Sequence, residues 1–426
     1  MAKYIIQFNE SNFDILKKYC QKYSLPNIER LINSESYIET ESEKKYDNLE
    51  PWIQWYSFYT GLSYDQHRVY HLGDCLKNEH DNFIKNYANN DKLVGVFGAM
   101  NLPPYKDYKI FIPDAWTESN SDISFNSRFV TSTLKNIINS NAGLKIKFND
   151  ILGLLLLIGL PKSIQDFSIL YKVLKAFLLR SRAHLAAYFD YYFLRYSLKR
   201  SKKENLDLSL IFLNGFAHIQ HHYMLTSEFF NSRNPSWYVS DDKDYLLDAL
   251  YIYDQAFKFL LDSIDQNDEY FISTGLTQEP FKDPFIYWRF KNHNKVLLHF
   301  INEKIDIMPR MTRDFEIKVH NEKSIQSVIK FLNEAKISGD DKKNAFGFID
   351  QTSSHSVFAS FIYSGETKDI DIEFQGKSFS LRNELDFIAI KNAGHDQRGW
   401  LISNTKSKFS NIKLWDSHEV IFNKTI

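Results

Sequence analysis

Four short apolar runs constrain this chain most: Tyr4–Phe8, Leu93–Gly98, Leu208–Leu213 and Tyr270–Ser273. Each is too short for an ordinary helix and too continuously apolar for a strand with one wet face, so each reads as a strand buried on both sides. Between them lie segments of helical period, Asn12–Tyr23, a second opening at Pro26, and Tyr245–Ile264. Strands alternating with helices predict an α/β fold with a mostly parallel central sheet flanked by helices. Such sheets gather their chemistry just beyond the carboxyl ends of the strands. The positions to examine are therefore Asn9 and Glu10, Asn214 to His222, and Thr274 to Gln278, together with His395 in the C-terminal part.

A length of 426 residues predicts two or three units, or one large α/β unit with insertions. We divide it into residues 1–119, a helical insertion at 120–207, and 208–426 with a β-rich C-terminal portion. Within the insertion, Ile151–Leu160, Ile164–Leu179 and Ala183–Leu198 read as successive helices, punctuated by Arg180, Arg182, Arg195, Lys199, Arg200, Lys202 and Lys203. Two readings stand: a lid or bundle packed on the main domain, or an amphipathic basic element making a peripheral membrane contact through 150–203. The Ile151–Leu160 run is too short to span a bilayer.

Fifty-two Lys+Arg against 53 Asp+Glu leave a net charge of −1, which speaks against nucleic acid as a partner. Two cysteines, Cys20 and Cys75, cannot form a disulfide framework, and no signal peptide is visible, so the expectation is a cytoplasmic protein, at the inner face of the membrane if the insertion docks there. Aromatic residues reach 16%, which packing, binding surfaces or an A+T-rich genome would each explain.

The densest polar cluster is Asn214-Gly-Phe-Ala-His218-Ile-Gln220-His221-His222. On a helix, Asn214 and His218 share a face, as do His218 and His222, so the pair is either a metal-binding His-x-x-x-His or two hydrogen-bonded near-surface groups. Gly394-His395-Asp396-Gln397-Arg398-Gly399 sets one histidine on a glycine-flanked turn. Trp52 and Trp55 bracket Gln54, an arrangement for stacking on a ligand or for core packing. Glu10 at the first strand end serves as a general acid or base, or as a helix N-terminal charge. No dinucleotide-binding Gly-x-Gly-x-x-Gly, no phosphate-cradling Gly-rich loop and no Gly-x-Ser-x-Gly elbow occurs.

Four stretches carry a family likeness: Phe8-Asn9-Glu10 followed by Leu25-Pro26-Asn27-Ile28-Glu29-Arg30-Leu31; Thr60-Gly61 followed by His67; Asn214-x-x-x-His218; and Gly394-His395-x-x-x-Gly399. Taken in order they resemble the alkaline phosphatase superfamily, which includes nucleotide pyrophosphatases/phosphodiesterases, sulfatases and phosphonoacetate hydrolases. Phe8-Asn9-Glu10 and Pro51-Trp52-Ile53-Gln54-Trp55 also resemble a bacterial subgroup of it encoded near surface-polysaccharide genes. The resemblance implies an alkaline-phosphatase-like sandwich and a two-metal in-line displacement. The residues depart from that pattern: Asn9 and Asn214 stand where the family has Asp, Pro51 falls at the nucleophile, and Thr274-Gly275 replaces Asp-His, leaving His218 and His395 as ligand types.

The expectation is an enzyme, a hydrolase or transferase for a phosphate ester, phosphodiester or glycan-linked substrate, lipid-linked ones among them, in surface-polysaccharide metabolism. Its catalytic residues would be His218, Glu10 and His395, and its substrate-binding residues Asn9, Trp52, Gln54, Asn214, His221, Thr274 and Gln278. No metal-ligand set is assigned, and one weakly held zinc or manganese ion is the most the residues allow. The alternative is a non-catalytic saccharide-binding or assembly protein on the same fold.

Overall fold

The computed structural model describes residues 1–45, 49–78, 80–117, 119–122, 124–139, 148–161, 163–179, 181–240, 242–310, 312–339 and 343–422. The chain divides into two compact units: residues 1–228, 244–280 and 393–426 form the first, and 229–243 with 281–392 the second.

The first unit is built on an eight-stranded sheet. Its strands are β1 (Lys3–Phe8), β2 (Ser36–Glu41), β3 (Val94–Phe97), β4 (Ile110–Ile112), β5 (Leu208–Leu213), β6 (Glu269–Ser273), Arg398–Ser403 and Asn411–Lys413. In space they run Asn411–Lys413, β2, Arg398–Ser403, β6, β1, β5, β3, β4. All neighbours pair in parallel except Arg398–Ser403, which is antiparallel to both β2 and β6. The fold is therefore α/β with a large, mostly parallel sheet and flanking helices. Every residue of β3, β4 and β5 is buried, as the continuous apolar runs required.

Four of the eight strands, β2, β4, Arg398–Ser403 and Asn411–Lys413, and the helix Pro51–Thr60 escaped the pattern, and burial explains two of these cases. β2 alternates buried with half-buried or exposed residues, so it has no continuous apolar run. The helix Pro51–Thr60 has Pro at its first position and nine of its ten residues buried, so no polar face marks its period.

Helices Phe125–Asn139, Phe148–Ile158, Ile164–Leu178 and Arg182–Lys203 occupy most of the stretch 120–207. Arg195 is packed rather than free: it pairs with Asp166 at 2.6 Å and its guanidinium covers the rings of Tyr191 and Phe259. Arg180 lies outside the described residues. Among the described residues, no helix is long and apolar enough to cross a membrane.

The second unit carries a four-stranded and a three-stranded antiparallel sheet. One runs Phe346–Ser353, Ser356–Phe361, Asp314–Val319, Ile305–Pro309, and the other Lys336–Ile337, Asp371–Phe374, Lys377–Ser380. The helix Ile325–Glu334 closes a core of Phe290, Phe315, Phe331, Phe346 and Phe361, where part of the aromatic excess is spent on packing.

Candidate active site

Glu10 lies two residues past the end of β1, and only 3% of its surface is exposed. It is not glycine, yet its φ is +56°. A left-handed backbone at an ordinary residue costs about 1–3 kcal/mol and persists where the surroundings dictate it. Here the Glu10 N–H donates to the Thr274 carbonyl at 2.9 Å, and its carbonyl accepts from the Gln220 amide at 2.7 Å. Gln220 in turn accepts from the Asn12 N–H at 3.0 Å. These bonds tie the ends of β1 and β6 to the helix Gly215–Tyr223, and they turn the Glu10 carboxylate onto two histidines.

One carboxylate oxygen, Oε2 of Glu10, lies 3.1 Å from Nε2 of His221 and 3.1 Å from Nε2 of His395. The amide of Gln278 donates to the same oxygen at 2.5 Å and to the Ala217 carbonyl at 3.0 Å. The other carboxylate oxygen accepts from Asn9 at 2.8 Å. Burial is the largest single influence on Glu10 and acts to raise its pKa. The imidazoles of His395 and then His221 outweigh it and hold the carboxyl well below its ordinary range.

The protons on these rings follow from their other contacts. Nδ1 of His221 is 3.3 Å from the Ala393 carbonyl, an atom that only accepts, so Nδ1 carries a hydrogen. Nε2 would then face a carboxylate with its lone pair unless a second proton or a cation stood between them. The pair thus calls for an imidazolium or a metal ion. Nδ1 of His395 faces the Glu50 carboxylate at 3.7 Å. A ring nitrogen backed by a carbonyl or carboxylate is the usual support of a metal-ligating histidine.

Glu10, His221 and His395 offer three ligand atoms within 4.8 Å of one another, the one such group among the described residues. First-row divalent ions sit about 2.0–2.2 Å from nitrogen and oxygen ligands, so this spread fits a single ion. Three protein ligands with an open position is the composition of catalytic rather than structural zinc sites. The Asn9 amide donates to Asn214 at 2.7 Å, while its oxygen accepts from the Trp55 indole at 2.7 Å.

The residues named from the sequence fall into two sets. Glu10, Asn9, Asn214, His221, Gln278 and His395 form one connected network, to which Thr274 contributes its carbonyl. Thr274 also accepts from the Trp400 N–H through its hydroxyl at 2.9 Å, fixing the end of β6. His218 is not in the group of three: its ring packs against His222 at 4.6 Å, and its pKa is lowered to about 4, by burial first and then by His221 and Arg182. Trp52 donates to the Tyr70 carbonyl at 2.8 Å, and Gln54 is buried and accepts from the Glu43 N–H at 3.2 Å.

Three supporting residues were assigned no role from the sequence, although Gln220 stands in the polar cluster 214–222. Glu50 backs His395, Gln220 fixes the Glu10 backbone, and Asp190 accepts from the Gly215 N–H at 2.7 Å and from the Tyr253 hydroxyl at 2.6 Å. Asp190 thereby pins the start of the helix that carries His221. Burial pushes its carboxyl up to about 7. Only its position in an apolar stretch, Tyr188 to Leu194, hints at a special role.

One further pair looks catalytic and is not. Ser57 lies 2.9 Å from Nε2 of His67, but Nδ1 of His67 accepts from the Val69 N–H at 2.9 Å. The neutral ring therefore carries its proton on Nε2 and donates to Ser57, so it does not take the serine's proton.

No family model matches this chain, and no curated protein matches it. Similar solved structures include a phosphonoacetate hydrolase from Sinorhizobium meliloti 1021 in complex with phosphonoformate, at 10% identity and a TM-score of 0.43, covering 99% of this chain and 95% of that one. Murine ectonucleotide pyrophosphatase/phosphodiesterase 5 matches at 9% identity and a TM-score of 0.43, covering 100% and 96%. The alkaline phosphatase PafA matches at 10% identity and a TM-score of 0.44, covering 99% and 95%. All three belong to the alkaline phosphatase superfamily, and all are hydrolases of phosphate or phosphonate compounds by name. The likeness concerns the path of the chain and assigns no chemistry to these residues.

Proposed function

We propose that Glu10, His221 and His395 form the reaction centre of a hydrolase or transferase acting on a phosphate ester, phosphodiester or glycan-linked substrate in bacterial surface-polysaccharide metabolism. The observation that carries this reading is the convergence of two imidazoles on one buried carboxylate oxygen at the carboxyl ends of parallel strands. A structural ion pair needs one partner. Two imidazoles and an amide around one oxygen make a site poised to hold a cation or move a proton.

The residues fit one divalent ion, zinc or manganese, held by Glu10, His221 and His395. Such an ion supplies Lewis-acid stabilisation of developing negative charge. The chain itself does the rest. With no ion bound, the ionised Glu10 would keep positive charge on the imidazoles and an imidazolium would donate its proton to a departing oxygen; as metal ligands the same rings are neutral and donate no proton from Nε2. Gln278 and Asn9 hold the carboxylate in place. With Pro51 at the nucleophile position, the acceptor is water in a hydrolase or a substrate hydroxyl in a transferase. Cys20 and Cys75 are both unpaired, which supports a reducing, cytoplasmic setting.

Elemental analysis of the full chain, with turnover of a panel of phosphodiesters, nucleotide sugars and lipid-linked sugars, tests the reading. The expected result is one bound zinc or manganese per chain, and turnover that Glu10→Gln lowers at least about a hundredfold. Turnover untouched by Glu10→Gln would overturn it. Saccharide binding without turnover of any panel member would favour the non-catalytic alternative.

A further inference from the structure

The helix Ile164–Leu178 has two apolar faces. Ile169 and Ala176 are buried against the rest of the first unit. Ile164, Phe167, Tyr171, Leu174 and Leu178 are 55–91% exposed. At 100° per residue these five fall within about 80° of arc, so they form one outward stripe. Leu160 just before the helix and Leu155 on the preceding helix are exposed as well. Scattered exposed leucines need no explanation, but a contiguous patch of this kind marks a contact surface.

The two exposed charged side chains of this helix are both cationic. Of the charged side chains on this helix, Asp166 is turned in and paired with Arg195 at 2.6 Å, with 17% of it exposed. Lys175 is exposed and lies about 20° of arc from the stripe; Lys172 is exposed as well but lies about 80° from it, beside a cavity it lines with Asp248 and His184. We propose that this face docks on the surface of a bilayer containing anionic phospholipid. The helix would lie in the headgroup plane with its apolar side chains at the acyl boundary and its lysines on the lipid phosphates.

Two features favour a bilayer. A ring and aliphatic mixture with a lysine at its edge matches an anionic interface. A second copy of the same face would set lysine pairs near one another, where like charges oppose association. The proposal is independent of the reaction assigned to Glu10, and it would bring that site to lipid-linked or membrane-surface substrates.

Flotation of the full chain with phosphatidylcholine vesicles, with and without phosphatidylglycerol, tests it. Binding is expected only to the anionic vesicles. The double variant Phe167→Ser/Leu178→Ser should lose at least about tenfold in partition. Lys172→Gln/Lys175→Gln should lose on the order of thirtyfold at low salt. All four positions are exposed, so both variants should melt at the wild-type temperature. Absence of vesicle binding, or binding that both variants retain, would overturn the proposal. So would a wild-type dimer in light scattering that Phe167→Ser/Leu178→Ser converts to a monomer, which would assign the face to a second copy.

Discussion

The side-chain amide of Asn9 donates to the carboxylate of Glu10 at 2.8 Å. An aspartate there could not donate. It would set a second carboxylate against the first, in a place where burial already works against charge. The amide is therefore matched to an ionised Glu10.

Asn9→Asp should accordingly destabilise the apo-protein by about 1–3 kcal/mol at neutral pH, as a buried acceptor loses its donor. Urea denaturation at pH 7 checks this. Added zinc or manganese should recover part of the loss, because the new carboxylate is a ligand type. A variant as stable as wild type without metal would refute the match.

Asp190 should act on the site through the helix it pins. Asp190→Ala leaves the Gly215 N–H and the Tyr253 hydroxyl without their acceptor, and should cost roughly 2–4 kcal/mol. Asp190→Asn keeps an acceptor and should recover most of that. A purely structural role would move stability alone. Positioning of His221 predicts that kcat also falls in Asp190→Ala and returns in Asp190→Asn, with both assayed where the proteins are folded.

Stability should decline on acidification well before ordinary carboxylates titrate. His67 is buried and its pKa is lowered to about 4, by burial first and then by His80 and Arg68. The unfolded ring takes a proton near pH 6.5 and the folded ring does not until about 4. The His67 contribution is thus fully present above pH 6.5 and is lost progressively as pH falls toward 4. Between pH 7 and 5 the loss is about 2 kcal/mol from this residue. His293, also lowered to about 4, acts in the same direction. Denaturation midpoints at the two pH values should differ less in His67→Gln than in wild type.

Gly275 should resist substitution. Its φ is +72°, and a Cβ would stand 2.9 Å from the Trp55 ring, whose indole holds Asn9. Gly275→Ala should cost about 1–3 kcal/mol and lower turnover, measured by thermal melting and by the same substrate panel.

Four of the sheet's eight strands, β1, β3, β5 and β6, were legible in the sequence. Its buried strands carry continuous apolar runs because both of their faces are covered, and that signal is local. It also placed polar residues at the ends of those strands, Glu10 after β1 and Thr274 after β6, because in a parallel sheet those ends open on one edge. The choice among neighbouring histidines was not legible. Helical spacing pairs His218 with His222, and the rings do pack together, but the one that reaches Glu10 is His221. Which face of that helix meets β1 depends on the bonds from Asp190 and Gln220, whose partners lie 25 and 210 residues away. Long-range contacts fix this choice, because a helix's rotation about its axis is set by what packs against it. The same holds for Glu10: its left-handed backbone and its low pKa come from groups that reach it from β6, from Gln278 and from His395, none of them near it in the chain.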